Sequence, residues 1–156
     1  MLKKAIFRLI CIGVFGASAA VIWFLASTLS LRTDYRETAL EINDAFIKSD
    51  PEMITVSQGD ITLPASKALV DFYDRFLLDR TTTVFNRKPA PPEDTTISIQ
   101  CGNRTLSFKG LDDESATQIC WMGPEEEKNF TVRSQVTFIQ LNSYFQNYKR
   151  KSAREE

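Results

Sequence analysis

Residues 96–108 read TISIQCGNRTLSF, and this stretch decides the character of the folded part of the chain. Apolar and polar residues alternate on both sides of Gly102-Asn103. A glycine–asparagine pair supplies the positive φ that a two-residue hairpin turn requires, and alternation is the mark of a half-buried strand. Pairing across the turn sets Ile99 opposite Leu106 and Ile97 opposite Phe108, and puts Ser98, Gln100, Thr105 and Ser107 on the other face. The spacing therefore predicts an antiparallel hairpin with one apolar and one polar face.

The flanking segments extend this unit. Residues 116–122 read as a third strand, ended by Gly123-Pro124 and the acidic loop 125–127. Upstream, 53–56 and 61–63 read as two short strands around Gly59-Asp60. A helix follows that admits Pro64 in its first turn and carries Leu69, Tyr73 and Phe76 on one stripe. It ends near Arg80, where Thr81-Thr82-Thr83 and Val84 disfavour helix. Pro89, Pro91 and Pro92 make 88–93 a surface connector. Near the C-terminus Phe130, Val132, Val136 and Phe138 alternate as in a strand, whereas Phe138, Leu141, Phe145 and Tyr148 follow a helical stripe. The expectation is a strand reaching 136–138 and then a helix to about Lys151, with 152–156 loose. Before the first strands, Tyr35, Ala39, Ile42 and Phe46 define a helix over 34–49. Asp34 and Glu37 resemble a capping box, and Pro51 ends the segment. The fold class is α+β, an antiparallel sheet of three to five strands packed against helices.

Residues 9–31, LICIGVFGASAAVIWFLASTLSL, are of a different kind. Their 23 uncharged positions reach about 34 Å as a helix, enough to cross a bilayer core of about 30 Å. Trp23 and Phe24 fall late in the run, where aromatic rings favour an interface. A cleaved signal peptide is the competing reading, with Ala17-Ser18-Ala19 as the cleavage site, but the apolar run continues well past it. The organisation expected is a cytoplasmic tail over 1–8, a transmembrane signal anchor over 9–31 that meets the lipid bilayer, and an extracytoplasmic domain over 32–156. Lys3, Lys4 and Arg8 set that orientation, since basic residues mark the cytoplasmic side. A direct continuation of the span into the helix at 34–49 would make a stalk.

Charge and composition narrow the function. Three of the 19 basic residues precede Arg32, while all 20 acidic ones follow it, so the domain carries 16 basic against 20 acidic side chains and a formal net charge of −4. Nucleic-acid binding normally shows the opposite sign. Eleven Phe, four Tyr and two Trp argue for a packed core rather than disorder. The chain contains no histidine, which removes the commonest general base and the commonest metal ligand.

The remaining motifs are weak. Cys101 and Cys120 are the only cysteines beyond the span, and outside the cytoplasm a disulfide between them is expected to stabilise the fold by about 3 kcal/mol. Strand parity speaks against it, because Cys101 shares a face with Ile97 and Ile99 while Cys120 alternates with Ile119 and Trp121. The acidic runs 112–114 and 125–127 lack the alternating oxygens and central glycine of a calcium loop. Ser66-Lys67 has the residue types of a Ser–Lys hydrolase but not the spacing. Asn103-Arg104-Thr105 and Asn129-Phe130-Thr131 match the glycosylation pattern, relevant only in a eukaryotic secretory pathway. No cofactor or metal is expected, and no catalytic residue is assigned. The reading is a membrane-anchored interaction or assembly module with a protein partner at the membrane. The alternatives are a carboxylate-dependent hydrolase or sugar-acting enzyme, and a ligand-sensing ectodomain working through a membrane partner.

Overall fold

The computed structural model describes residues 2–85, 93, 95–111 and 116–155, with side chains from Gly13 onward apart from Pro51 and Glu155. Helix α1 (Leu2–Lys48) is followed by a single 3-10 turn, Pro51–Met53, and strands β1 (Ile54–Gln58) and β2 (Ile61–Pro64). Helix α2 (Lys67–Leu77) and strand β3 (Thr83–Phe85) come next. Strands β4 (Ile97–Cys101), β5 (Arg104–Gly110), β6 (Thr117–Met122) and β7 (Glu127–Arg133) form a meander, and helix α3 (Phe138–Glu155) closes the chain.

All seven strands belong to one sheet in the order β2-β1-β4-β5-β6-β7-β3, antiparallel throughout. The hairpin register is the one the alternation predicts: Ile97 faces Phe108, Ile99 faces Leu106, and Gly102 sits at φ 60° in the turn. Gly59 takes φ 56° in the β1–β2 turn, where a side chain would strain the backbone. The sheet is larger than the three to five strands expected, because all six segments read as strands join it and β3 adds a seventh by pairing with β7 at one edge. Three residues of a Thr-rich segment are too short to reveal a period of two.

The helices cover the apolar face. Ile97, Ile99, Leu106, Phe108, Ile119 and Trp121 are almost wholly buried beneath Ala39, Ile42, Leu69, Tyr73, Phe76, Leu141 and Phe145. Tyr73 stacks on Phe108 at 5.1 Å between ring centroids, and Phe76 meets the same ring edge-on at 5.7 Å. Both buried tyrosine hydroxyls have a partner: Tyr73 donates to the Leu141 carbonyl at 3.1 Å and Tyr35 to that of Leu77 at 2.9 Å. Burial raises both phenols far above the ordinary tyrosine range.

Three local expectations need correction. No helix starts at Asp34, because α1 runs unbroken from Leu2 to Lys48. Asp34 therefore lies in mid-helix, and the capping pair has no free N–H groups to satisfy. Pro64 ends β2, and Ser66 is the N-cap of α2, its hydroxyl accepting from the Leu69 amide at 3.3 Å. Residues 152–155 continue α3 rather than fraying.

Helix α1 has two halves of opposite character. Val14, Phe15, Val21, Ile22, Trp23, Phe24 and Leu25 are all more than half exposed, while Tyr35, Ala39, Ile42, Ala45 and Phe46 lie in the core. Mean hydropathy in the apolar part reaches 1.8, so this one N-terminal helix is long and apolar enough to span a membrane. The helix continues from the apolar run without a break, yet it forms no free stalk: Leu31, the last apolar residue, already packs on the core. From there α1 moves along the sheet, its Tyr35 ring 5.3 Å from Phe130, Glu41 bonded to Trp121 at 3.1 Å and Ser49 accepting from Cys101. The β7–β3 end of the sheet thus lies next to the apolar segment, and the Gly102-Asn103 hairpin tip lies at the far end.

Candidate functional site

The cysteines come first because sequence singles them out. Both are free thiols. Register explains why the expected bridge does not form. Cys101 pairs across to Ile54 and Arg104 in the apolar rows of β4 and its neighbours, whereas Cys120 sits opposite Ser107 and Asn129. The side chains therefore project from opposite faces of one sheet. The Cys101 thiol is buried and donates to Ser49 Oγ at 2.6 Å. Cys120 is half-buried, and its pKa is pushed up to about 11 by desolvation and by the neighbouring Glu127 carboxylate. A thiol raised in this way is a poor nucleophile at neutral pH.

Away from the helices the sheet presents short polar side chains. Ser57, Ser98, Ser107, Cys120 and Asn129 form one row across five strands, with the Ser98 and Ser107 hydroxyls 3.0 Å apart. An antiparallel sheet with one polar face is stable against water, so this row requires no ligand. At the end near the apolar helix, Lys109 is buried on the same face and pairs with Glu93 at 2.7 Å.

Two clefts flank α1 on the helical side. The larger, about 530 Å3, opens where α1 leaves the apolar segment and meets the α2–β3 connection. Arg32 and Arg36 of α1 and Arg80 of the connection line it, with Leu40, Leu77 and Leu78 as its apolar wall. The smaller, about 260 Å3, lies between the far end of α1 and α2. Asp71 and Asp74 line it together with Lys67, Asn43, Ser49 and Phe46. Burial raises the Asp74 carboxyl above the ordinary carboxylate range, and Asp71 adds repulsion in the same direction. Its Oδ1 is enclosed and has no hydrogen-bond partner among the described residues.

The other sequence candidates resolve into structural or surface roles. Ser66 is occupied as a helix cap. Residues 112–114 lie outside the described residues, as do 88–92 of the proline-bearing connector. Glu126 pairs with Lys128 at 2.7 Å, and Glu127 begins β7 instead of lying in a loop. Asn103 is exposed at the hairpin tip, while Asn129 bonds to Glu127 at 2.8 Å. No group of three or more metal-ligating Cys, Asp or Glu side chains occurs among the described residues. Neither cleft is legible in sequence, because each joins residues from α1 to residues more than twenty positions later. Arg32 and Arg36, four apart on one helix, are the only local signal for the larger one.

Fold and clefts together define a class: an α+β domain whose seven-stranded antiparallel sheet is covered on one face by helices, the first of them carrying an N-terminal segment of membrane-spanning length. No protein-family model, curated protein or solved structure matches the chain.

Proposed function

We infer that the chain is a single-pass, membrane-anchored module that acts by contact with another protein at the membrane, its N-terminus cytoplasmic and its domain on the opposite side. The observation that carries this reading is the two-part nature of α1. One continuous helix is exposed and apolar in its first part and forms core in its second, so a segment inserted in lipid would hold the domain directly against the headgroups. Lys3, Lys4 and Arg8 before the apolar run support the orientation. Fixing a domain to a surface raises its effective concentration near a partner in that surface, which suits an assembly role.

Asp71 and Asp74 are the observation that favours a carboxylate enzyme instead. Two acidic groups in one cleft, one of them with a raised pKa, have the chemistry of a general acid and its partner. Their placement argues the other way. Both stand three residues apart on α2 and so share one wall, and the α1 side of the cleft offers Asn43, Phe46, Ile47 and Ser49, none of which titrates near neutral pH. Glycoside hydrolysis requires carboxylates on opposite sides of the scissile bond.

An alanine scan of the acidic residues separates the two readings. With folding checked by near-ultraviolet circular dichroism, Asp71→Ala and Asp74→Ala are expected to retain cellular activity, while release of the domain from the anchor abolishes it. Folded but inactive variants at both aspartates would transfer the function to that cleft.

A further inference from the structure

The larger cleft combines position, charge and an unused polar group. Arg32 is the first charged residue after the apolar run, and Arg36 follows one helical turn later on the same side of α1. Arg80 approaches from the α2–β3 connection, where its carbonyl accepts from the Arg32 guanidinium at 3.4 Å. The three side chains are exposed. Those of Arg36 and Arg80 have no ion-pair partner among the described residues.

One carboxylate lines the same cleft, that of Asp79. It is already engaged, accepting from the Thr81 amide at 2.9 Å and from the Thr81 and Ser134 hydroxyls at 2.8 Å. These bonds, the Thr81 amide foremost, hold its pKa below the usual range, so it remains an anion that tightens its own turn. Three guanidinium groups therefore face one satisfied carboxylate. Asp34 and Glu37, on the same stretch of α1, do not line the cleft. Thr82 does: it is 5% exposed, and its buried hydroxyl has no hydrogen-bond partner among the described residues. An unused donor beside three guanidinium groups suits a ligand rich in acceptor oxygens, and arginine matches phosphate oxygens in two-point geometry.

We propose that the cleft formed by Arg32, Arg36, Arg80 and Thr82 binds the phosphate headgroup of an anionic membrane lipid. The proposal rests on the anchored reading of 9–31, because that reading places Arg32 at the headgroup level and Arg36 about one turn, some 5 Å, beyond it. The guanidinium groups take the phosphate, and the acyl chains run back along the exposed apolar part of α1, past Leu29 and Leu25. Lipid, rather than a soluble phosphate compound, is the source because Arg32 directly follows the apolar run, so the anchored reading sets the mouth of the cleft at headgroup depth. Binding would fix the rotation of the domain on the membrane, a task for which a single helical anchor is insufficient.

The test uses the full-length chain purified in neutral detergent, with short-chain phosphatidylglycerol, short-chain phosphatidylcholine and inorganic phosphate as separate probes. Saturable binding of phosphatidylglycerol, weakened about five-fold by Arg36→Gln and again by Arg80→Gln, is the expected result, at about one favourable contact per basic residue. Thr82→Val should weaken binding without altering the near-ultraviolet spectrum. Equal binding of the two lipids, or unchanged binding by Arg36→Gln/Arg80→Gln, would overturn the proposal. Inorganic phosphate that binds as tightly as the lipid would overturn the lipid source. Flotation of the same protein with pure phosphatidylcholine vesicles tests the anchor by itself, so failure there is distinguishable from failure of the cleft.

Discussion

At the scale of single residues, the side chains that break the ordinary rules are the informative ones. Asp74 keeps an enclosed, unpartnered carboxylate oxygen, an arrangement that destabilises its ionised form. A folded-state pKa above the unfolded value means that the folded protein binds the proton more tightly. Stability is then greatest below the unfolded value and falls as pH rises through the raised folded one. Asp74→Asn should therefore be more stable than the parent at pH 7. The two should converge below pH 4, as measured by urea denaturation at a series of pH values. The cysteines make a second test. Because neither thiol is bridged, Cys101 and Cys120 should both label with iodoacetamide under denaturing conditions without reductant. In the native protein at pH 8, only Cys120 should react, and slowly. The bridge expected from compartment and count fails on side-chain parity, which was readable from the alternation of Ile97, Ile99, Ile119 and Trp121 with their neighbours.

At the scale of elements, legibility follows from how local the determining interactions are. The β4–β5 hairpin is written in thirteen consecutive residues, and its register emerged without error because the turn length and the hydrophobic alternation agree. Strand β3 is fixed by pairing with β7, some fifty residues later, and by burial of Val84 in the core, and carries no period of its own. The start of the second half of α1 was misplaced for a related reason. Asp34 and Glu37 have the residue types of a cap, but the helix reaching them from Leu2 leaves nothing to cap. Helix α3 shows how closely elements are fitted: a Cβ added to Gly110 on β5 would stand 2.5 Å from the Phe138 ring at the start of α3. Gly110→Ala should therefore lower stability by about 1–3 kcal/mol as the helix is displaced. Thermal melts of the variant should show this loss, and a Phe138→Leu change in the same background should recover part of it.

At the scale of the whole molecule, an apolar helix and an α+β domain were legible because each has a pattern strong enough to stand alone. The clefts were not, since Arg80 joins Arg32 only through the packing of α2 against α1, and Asp74 meets Asn43 in the same way. The central claim is that residues 9–31 remain attached and cross the membrane once, with everything from Arg32 onward outside. Protease treatment of intact cells or spheroplasts, followed by mass spectrometry of the membrane fraction, tests it most directly. The account predicts that the domain is digested without lysis, leaving a membrane-embedded fragment that still begins at the original N-terminus and includes 9–31. A domain that survives until the cells are lysed, or a mature chain beginning after Ala19 or Thr28, would contradict it.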